Sequence, residues 1–121
     1  MSPSSDVERF LPLKPAHFHI LLSLVKTPLH GYGMRRAVEE RTDGRIVLAA
    51  GTLYETLQRL ERSKLIEETE APAEGAEQAS MRWRFYRTTV LGRRVLAAEV
   101  VRLESDLAAG RAALAAVDAG S

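Results

Sequence analysis

The sequence contains no cysteine. Disulfide frameworks and thiolate-held metals are therefore excluded. No apolar run approaches the roughly 20 residues that a helix needs to cross a bilayer. The first residues, MSPSSDVERF, lack the basic segment and apolar run of a secretory signal, so a cytoplasmic protein is expected, with no membrane partner. An excess of one charge is also missing: 17 Lys and Arg against 16 Asp and Glu leave a net charge of +1. Catalytic patterns are absent too. No serine or threonine sits in a nucleophile elbow, and no glycine-rich stretch has the form of a P-loop or dinucleotide fingerprint. His30-Gly31-Tyr32-Gly33 lies between two helical patterns and lacks a third glycine, which suits a turn better than phosphate binding. His17 and His19 are two apart on a helical pattern and so point to different faces, which makes them poor joint ligands. The glutamates stand in polar runs where nothing would raise a carboxyl pKa. No enzyme, metal or cofactor is expected.

What is present is one small domain's worth of chain plus an extra element, 121 residues with 45% hydrophobic and 27% charged side chains. The charges are segregated. From Arg82 to Arg94 there are five arginines and no acid, and from Glu67 to Glu77 five glutamates and no base. A nearly neutral chain can still bind a polyanion through such a local surface, because counterion release depends on the contacts made.

Residues 1–12 read as a flexible, proline-containing tail. A helix is predicted from near Pro15, with Phe18, Leu21, Leu22 and Val25 on its apolar face, and Pro28 bars its continuation. A second opens near Tyr32, turns Met34, Ala37 and Val38 inward, and stops at Asp43-Gly44. Ile46–Leu48 suits a brief strand. GTLYETLQRLERSKLI (51–66) is a third helix, with Thr52 as N-cap or first-turn residue and Leu53, Leu57 and Leu60 as its buried stripe. At roughly 100° per residue, Glu55, Gln58, Arg59 and Arg62 lie opposite the leucines, with Thr52 and Tyr54 on the flanks. Residues 65–70 and 82–89 read as two strands of a hairpin around a small-residue tip, 71–80. In the second strand Trp83 and Phe85 take one face and Arg82, Arg84 and Tyr86 the other. Thr89 then caps a final helix over 90–117, leaving a tail at 118–121.

That helix carries Leu96, Val100, Leu103, Leu107, Gly110, Leu114 and Val117 at alternating spacings of four and three. This is a heptad seam that a small domain has too little surface to cover. Pairing with the same helix of a second subunit is the favoured cover, and folding back on the first helix is the alternative.

The order helix, helix, short strand, polar-faced helix, arginine-bearing hairpin, long helix is that of a winged helix-turn-helix domain (13–89) followed by a dimerisation helix (90–117). The fold class is mainly α with a small β-hairpin. In this arrangement the outer face of the third helix enters the major groove of double-stranded DNA. Gln58 suits adenine, Arg59 suits guanine or a phosphate, and Thr52 and Tyr54 suit phosphate oxygens. The hairpin arginines Arg82 and Arg84 would sit against the flanking backbone or minor groove, and Arg62 is a further DNA-binding candidate on the same surface.

At these same residues the sequence resembles the PadR-type transcriptional regulators. The resemblance rests on ILLSLVKTPLHGYGM (20–34), GTLYETLQRLERSKLIE (51–67) and RFYRTTVLGRRVL (84–96). It implies a winged-helix homodimer that binds an operator, usually as a repressor, and that a small-molecule effector releases in some members. Where many members have proline after the GTLY tyrosine, this chain has Glu55, an acid on the face that would meet DNA, where it could accept from cytosine N4 or weaken the backbone contact. No aromatic cluster on the last helix marks an effector channel. A protein-interaction adaptor on the same scaffold is the competing reading, and the arginines on one surface are what argue against it.

Overall fold

The computed structural model describes residues 5–72 and 84–120. Its helices are α1 (Ser5–Glu8), α2 (Pro15–Leu24), α3 (Gly31–Arg41), α4 (Ala50–Arg62) and α5 (Val90–Gly120), and its strands are β1 (Leu29–His30), β2 (Ile66–Thr69) and β3 (Phe85–Thr88). The helix boundaries have local causes. Pro15 opens α2 from its first turn. At the start of α3, Nδ1 of His30 accepts the Gly33 N–H at 3.0 Å, so this histidine is an N-cap. Helix α3 ends with Asp43 and Gly44 both at positive φ and the Gly44 N–H on the Glu39 carbonyl at 2.8 Å. Helix α4 ends in the same way: Lys64 adopts φ 63°, and the Leu65 N–H reaches back to the Leu60 carbonyl at 2.9 Å. Thr52 lies in the first turn of α4, whose N-cap is Ala49.

The sheet is antiparallel in the order β1-β3-β2, with Leu29 opposite Tyr86 and Ile66 opposite Thr88. This corrects the strand expected at 46–48. That segment is an extended connection instead: Leu48 is buried, Val47 is exposed, and the Leu48 carbonyl accepts from Nε of Arg35 at 2.8 Å. The edge of β3 is already taken by Leu29–His30, so the hairpin becomes a three-stranded sheet. The central strand is covered on both sides, which corrects the placing of Tyr86 among outward residues: Phe85 and Tyr86 are both buried. The tip of the hairpin, with Arg82 and Trp83, lies outside the described residues.

Leucines and their neighbours from α2, α3, α4, β2 and α5 form one core, which includes Ile20, Leu21, Leu24, Met34, Val38, Leu53, Leu57, Leu60 and Val95. Each such side chain contributes about 1.5–3 kcal/mol of burial. The described part of the 1–12 segment joins it. Val7 is 3% exposed within this core, and Asp6 pairs with Arg94 of α5 at 3.5 Å. Residues 5–12 are thus an arm laid on α5, because an apolar side chain every few residues gives it a face to bury. At the other end α5 runs on to Gly120, through the expected tail at 118–121, of which Ser121 is outside the described residues.

The junction of α4, β2 and α5 is unusually close. The Thr89 hydroxyl donates to the Lys64 carbonyl at 2.6 Å and accepts the Gly92 N–H at 2.9 Å, capping α5. The Thr89 N–H donates to the Leu65 carbonyl at 3.1 Å. A β-carbon on Gly92 would stand 2.0 Å from that carbonyl oxygen, a backbone atom that cannot step aside. Gly92→Ala is expected to destabilise the fold by about 3 kcal/mol or more, at or beyond the upper end for overpacking. Thermal or urea unfolding of the variant measures this, and a melting temperature equal to that of the parent would refute the packing account.

Candidate nucleic-acid interface

Helix α4 buries Leu53, Thr56, Leu57 and Leu60. Thr56 is the member that hydrophobic periodicity misses. Its hydroxyl donates to the Thr52 carbonyl at 2.8 Å, which satisfies it inside the helix and lets its methyl face the core. Thr52, Tyr54, Glu55, Gln58, Arg59 and Arg62 are all exposed. They therefore form the solvent face of a helix whose other side is fixed by the core. Helix α4 opens on small residues, Ala49 to Gly51, and no side chain caps it.

Between this helix and the sheet lies an open cleft of about 480 Å³ lined by Tyr32, Tyr54, Gln58, Glu61, Arg84 and Tyr86. The fold thus brings Arg84 to the side of α4 that carries Tyr54 and Gln58. Burial, and then the Glu61 carboxylate, push the Tyr86 hydroxyl above the usual phenol pKa, and a hydrogen bond from Arg84 opposes them. Tyr32, exposed at the start of α3, stacks on His30 with ring centroids 6.3 Å apart. Sequence reasoning passed over Tyr32 and Tyr86. The signal for Tyr32 was its place two residues after His30 in the turn HGYG. For Tyr86 there was none, since its neighbours come from distant segments.

Among the described residues, four arginines are held in ion pairs. Arg36 pairs with Glu40, Arg87 with Glu67 across the hairpin base, Arg94 with Asp6, and Arg102 with Glu99 and Asp106. Arg59, Arg62 and Arg84 have no carboxylate partner among the described residues. Arg82, the remaining member of the expected set, lies outside those residues. No cluster of three or more metal-ligating side chains occurs among them either. None of the described helices is long and apolar enough to cross a membrane.

The seam of α5 leaves the core as it proceeds. Leu96 is buried, Val100 and Leu103 are each 39% exposed, and Leu107, Leu114 and Val117 reach 54%, 67% and 70%. Gly110 has open space where a β-carbon would stand. From Leu103 onward the described residues leave this seam uncovered. Beside it sits a residue that sequence reasoning missed, Glu99, 2% exposed. Its carboxylate accepts the Leu13 N–H at 2.9 Å and two guanidinium N–H groups of Arg102 at 2.5 and 3.1 Å. The Arg102 hydrogen bonds hold this carboxyl below its ordinary pKa against the opposing effect of burial, with help from the Leu13 N–H.

Residues 20–98 match the model of the transcriptional regulator PadR-like family. Among solved structures the chain is similar to a transcriptional regulator from Clostridium thermocellum, with 24% identity, TM-score 0.65, and 91% of this chain and 96% of that one covered. It is also similar to the hsRosR-S4 complex structure, with 21% identity, TM-score 0.62 and coverages of 91% and 99%. A PadR-like transcription factor from Bacteroides fragilis aligns at 20% identity with TM-score 0.57, over 84% of this chain and 88% of that one. At these identities the likeness is one of fold. No protein of curated function matches the chain in sequence.

The Glu99 geometry predicts an acid-sensitive contact. A carboxyl whose pKa is lower in the folded than in the unfolded chain stabilises above the unfolded value, and that stability is lost as pH falls through the folded one. The parent should therefore lose stability faster than Glu99→Gln as pH falls below the ordinary 4.5 of a glutamate. Urea unfolding of both proteins across about pH 3–7 measures the difference, and parallel pH profiles would remove the claim.

Proposed function

The chain belongs to the PadR-like family of transcriptional regulators, and we propose that it binds a two-fold symmetric DNA operator as a homodimer and represses from it. The observation that carries this reading is the face of α4. Its exposed arginines Arg59 and Arg62, with Arg84 from the hairpin on the same side, have no carboxylate partner among the described residues, whereas Arg36, Arg87, Arg94 and Arg102 do. Mutually repelling charges on one face are unfavourable by themselves and become favourable when a polyanion arrives.

In this reading α4 lies in the major groove. Gln58 pairs with an adenine edge and Arg59 with guanine or a phosphate. Thr52, Tyr54, Arg62, Arg82 and Arg84 hold phosphates, as do the uncapped N–H groups at the start of α4. Glu55 accepts from a cytosine amino group. The uncovered stripe Leu103, Leu107, Leu114 and Val117 packs on its counterpart in a second copy, which makes the two α4 helices a symmetric pair. Occupancy of DNA by such a dimer excludes other proteins from the same site, which is the simplest route to repression. A small-molecule effector, where one acts, has to change the separation of the two α4 helices or occupy their DNA face.

Two measurements test the two halves of this reading. Gln58→Ala and Arg59→Ala leave the buried stripe intact, and each should cost about 1–3 kcal/mol per base contact on the operator with little loss on shuffled DNA. Variants that fold and still distinguish the two DNAs as the parent does would show that α4 is not the reader. Sedimentation should give twice the chain mass of 13.4 kDa. Leu103→Asp should shift it toward monomer, because a carboxylate in an apolar seam loses its hydration. A parent chain that stays monomeric at high concentration would remove the dimer.

A further inference from the structure

The end of α4 farthest from its first turn carries a basic surface of which the reading above uses only Arg62. An open groove of about 470 Å³ is lined there by Arg9, Phe10, Arg62, Ser63, Lys64 and Leu91. Three of these side chains are cationic and none is acidic. In the first turn of α2, His17 is held below its ordinary pKa by burial, then by the fields of Lys14 and Arg59. Both cations therefore act on this imidazole. Arg59 and Arg62, three residues apart on one helical face, join the two clusters into a band.

The band is exposed, but the chain that carries it is held in place. The Arg9 guanidinium lies over the Phe10 ring at 4.7 Å. Lys64 is set by its left-handed backbone, and its carbonyl is held by the Thr89 hydroxyl at 2.6 Å. The N-terminal arm that carries Arg9 is anchored by Val7 in the core and by the Leu13 N–H on Glu99. Among the described residues Arg9, Lys14, Arg59, Arg62 and Lys64 have no ion-pair partner. Glu61, the acid on this end of the helix, lines the wing-side cleft instead. One small anion would neutralise one pair of these cations, whereas the band runs along the last turns of α4 and on to the arm. A row of phosphates matches that extent. Helix α4 is about 20 Å long at 1.5 Å per residue, and the major groove is about 12 Å wide, so a helix lying in the groove reaches both of its phosphate borders.

We propose that the N-terminal arm and the last turns of α4 form a second backbone contact, which grips the phosphate strand across the major groove from the wing. This inference rests on the reading of α4 as the DNA-facing helix. Each protomer then holds both borders of the groove, Arg84 and the hairpin on one side, and Arg9, Lys14 and Lys64 on the other.

The triple variant Arg9→Gln, Lys14→Gln, Lys64→Gln removes three charges and keeps most of each aliphatic stem. It should weaken binding to operator and shuffled DNA by the same factor and keep the ratio between them. The slope of log affinity against log salt should flatten by about 0.9 for each phosphate that is no longer neutralised. An unchanged slope in a variant that melts like the parent would overturn the proposal and leave the α4 reading intact. Hydroxyl-radical footprinting of the parent chain needs no variant. Two protected backbone tracts per half-site, one on each border of the groove, are expected, and a single tract would overturn the arm contact. A parent chain that binds no DNA at any salt concentration would overturn both readings together.

Discussion

Thr89 joins the two halves of the molecule. Its hydroxyl caps α5 and holds the Lys64 carbonyl, while its N–H holds that of Leu65. Gly92, one turn on, lets the helix approach that carbonyl as closely as backbone permits. The end of α4 and the start of α5 are thereby locked in direction and distance. A helix of 31 residues amplifies any change at its root: a small rotation there moves its far end by several ångströms. In the proposed dimer the separation of the two reading helices is inherited from this junction. The threonine and the glycine three residues later in RFYRTTVLGRRVL therefore have a mechanical meaning in this chain.

Buried polar groups do the remaining fastening. His30, Thr56, Thr88 and Glu99 are the buried polar side chains among the described residues, and no buried side-chain nitrogen or oxygen there is left unsatisfied. Two of them, His30 and Glu99, tie together elements that apolar packing alone would leave free to slide. His30 caps α3 and meets Phe85 edge-on, at 5.1 Å between ring centroids. Glu99 fastens the N-terminal arm to α5 beside the emerging seam. Such contacts are costly to leave half made, so they define one arrangement sharply even though their net contribution to stability is modest.

Charge is distributed on a different principle. Arg36 on α3, Arg87 at the hairpin base, and Arg94 and Arg102 on α5 face acids; among the described residues Arg59 and Arg62 on α4 and Arg9 on the arm do not. Isolated surface ion pairs contribute little to folding. The pattern therefore bears less on stability than on which surface attracts a polyanion.

The helices and the seam were legible in the sequence because their causes are local. Pro15 and Pro28 bound α2, Asp43-Gly44 stops α3, and the three-and-four spacing of leucines marks one face of α4 and of α5 whatever else is nearby. The exposed face of α4 followed from the same periodicity, so Tyr54, Gln58, Arg59 and Arg62 emerge where the spacing puts them. Tertiary structure decided what depends on distant partners. The third strand is Leu29–His30 and not Ile46–Leu48, because an edge of β3 has room for one neighbour. Tyr86 is buried because its strand is covered on both faces. Residues 5–12 dock because α5, more than 80 residues away in the chain, offers Arg94 and Glu99. Short polar and mixed segments carry no period of their own, so only the surface they meet gives them a place.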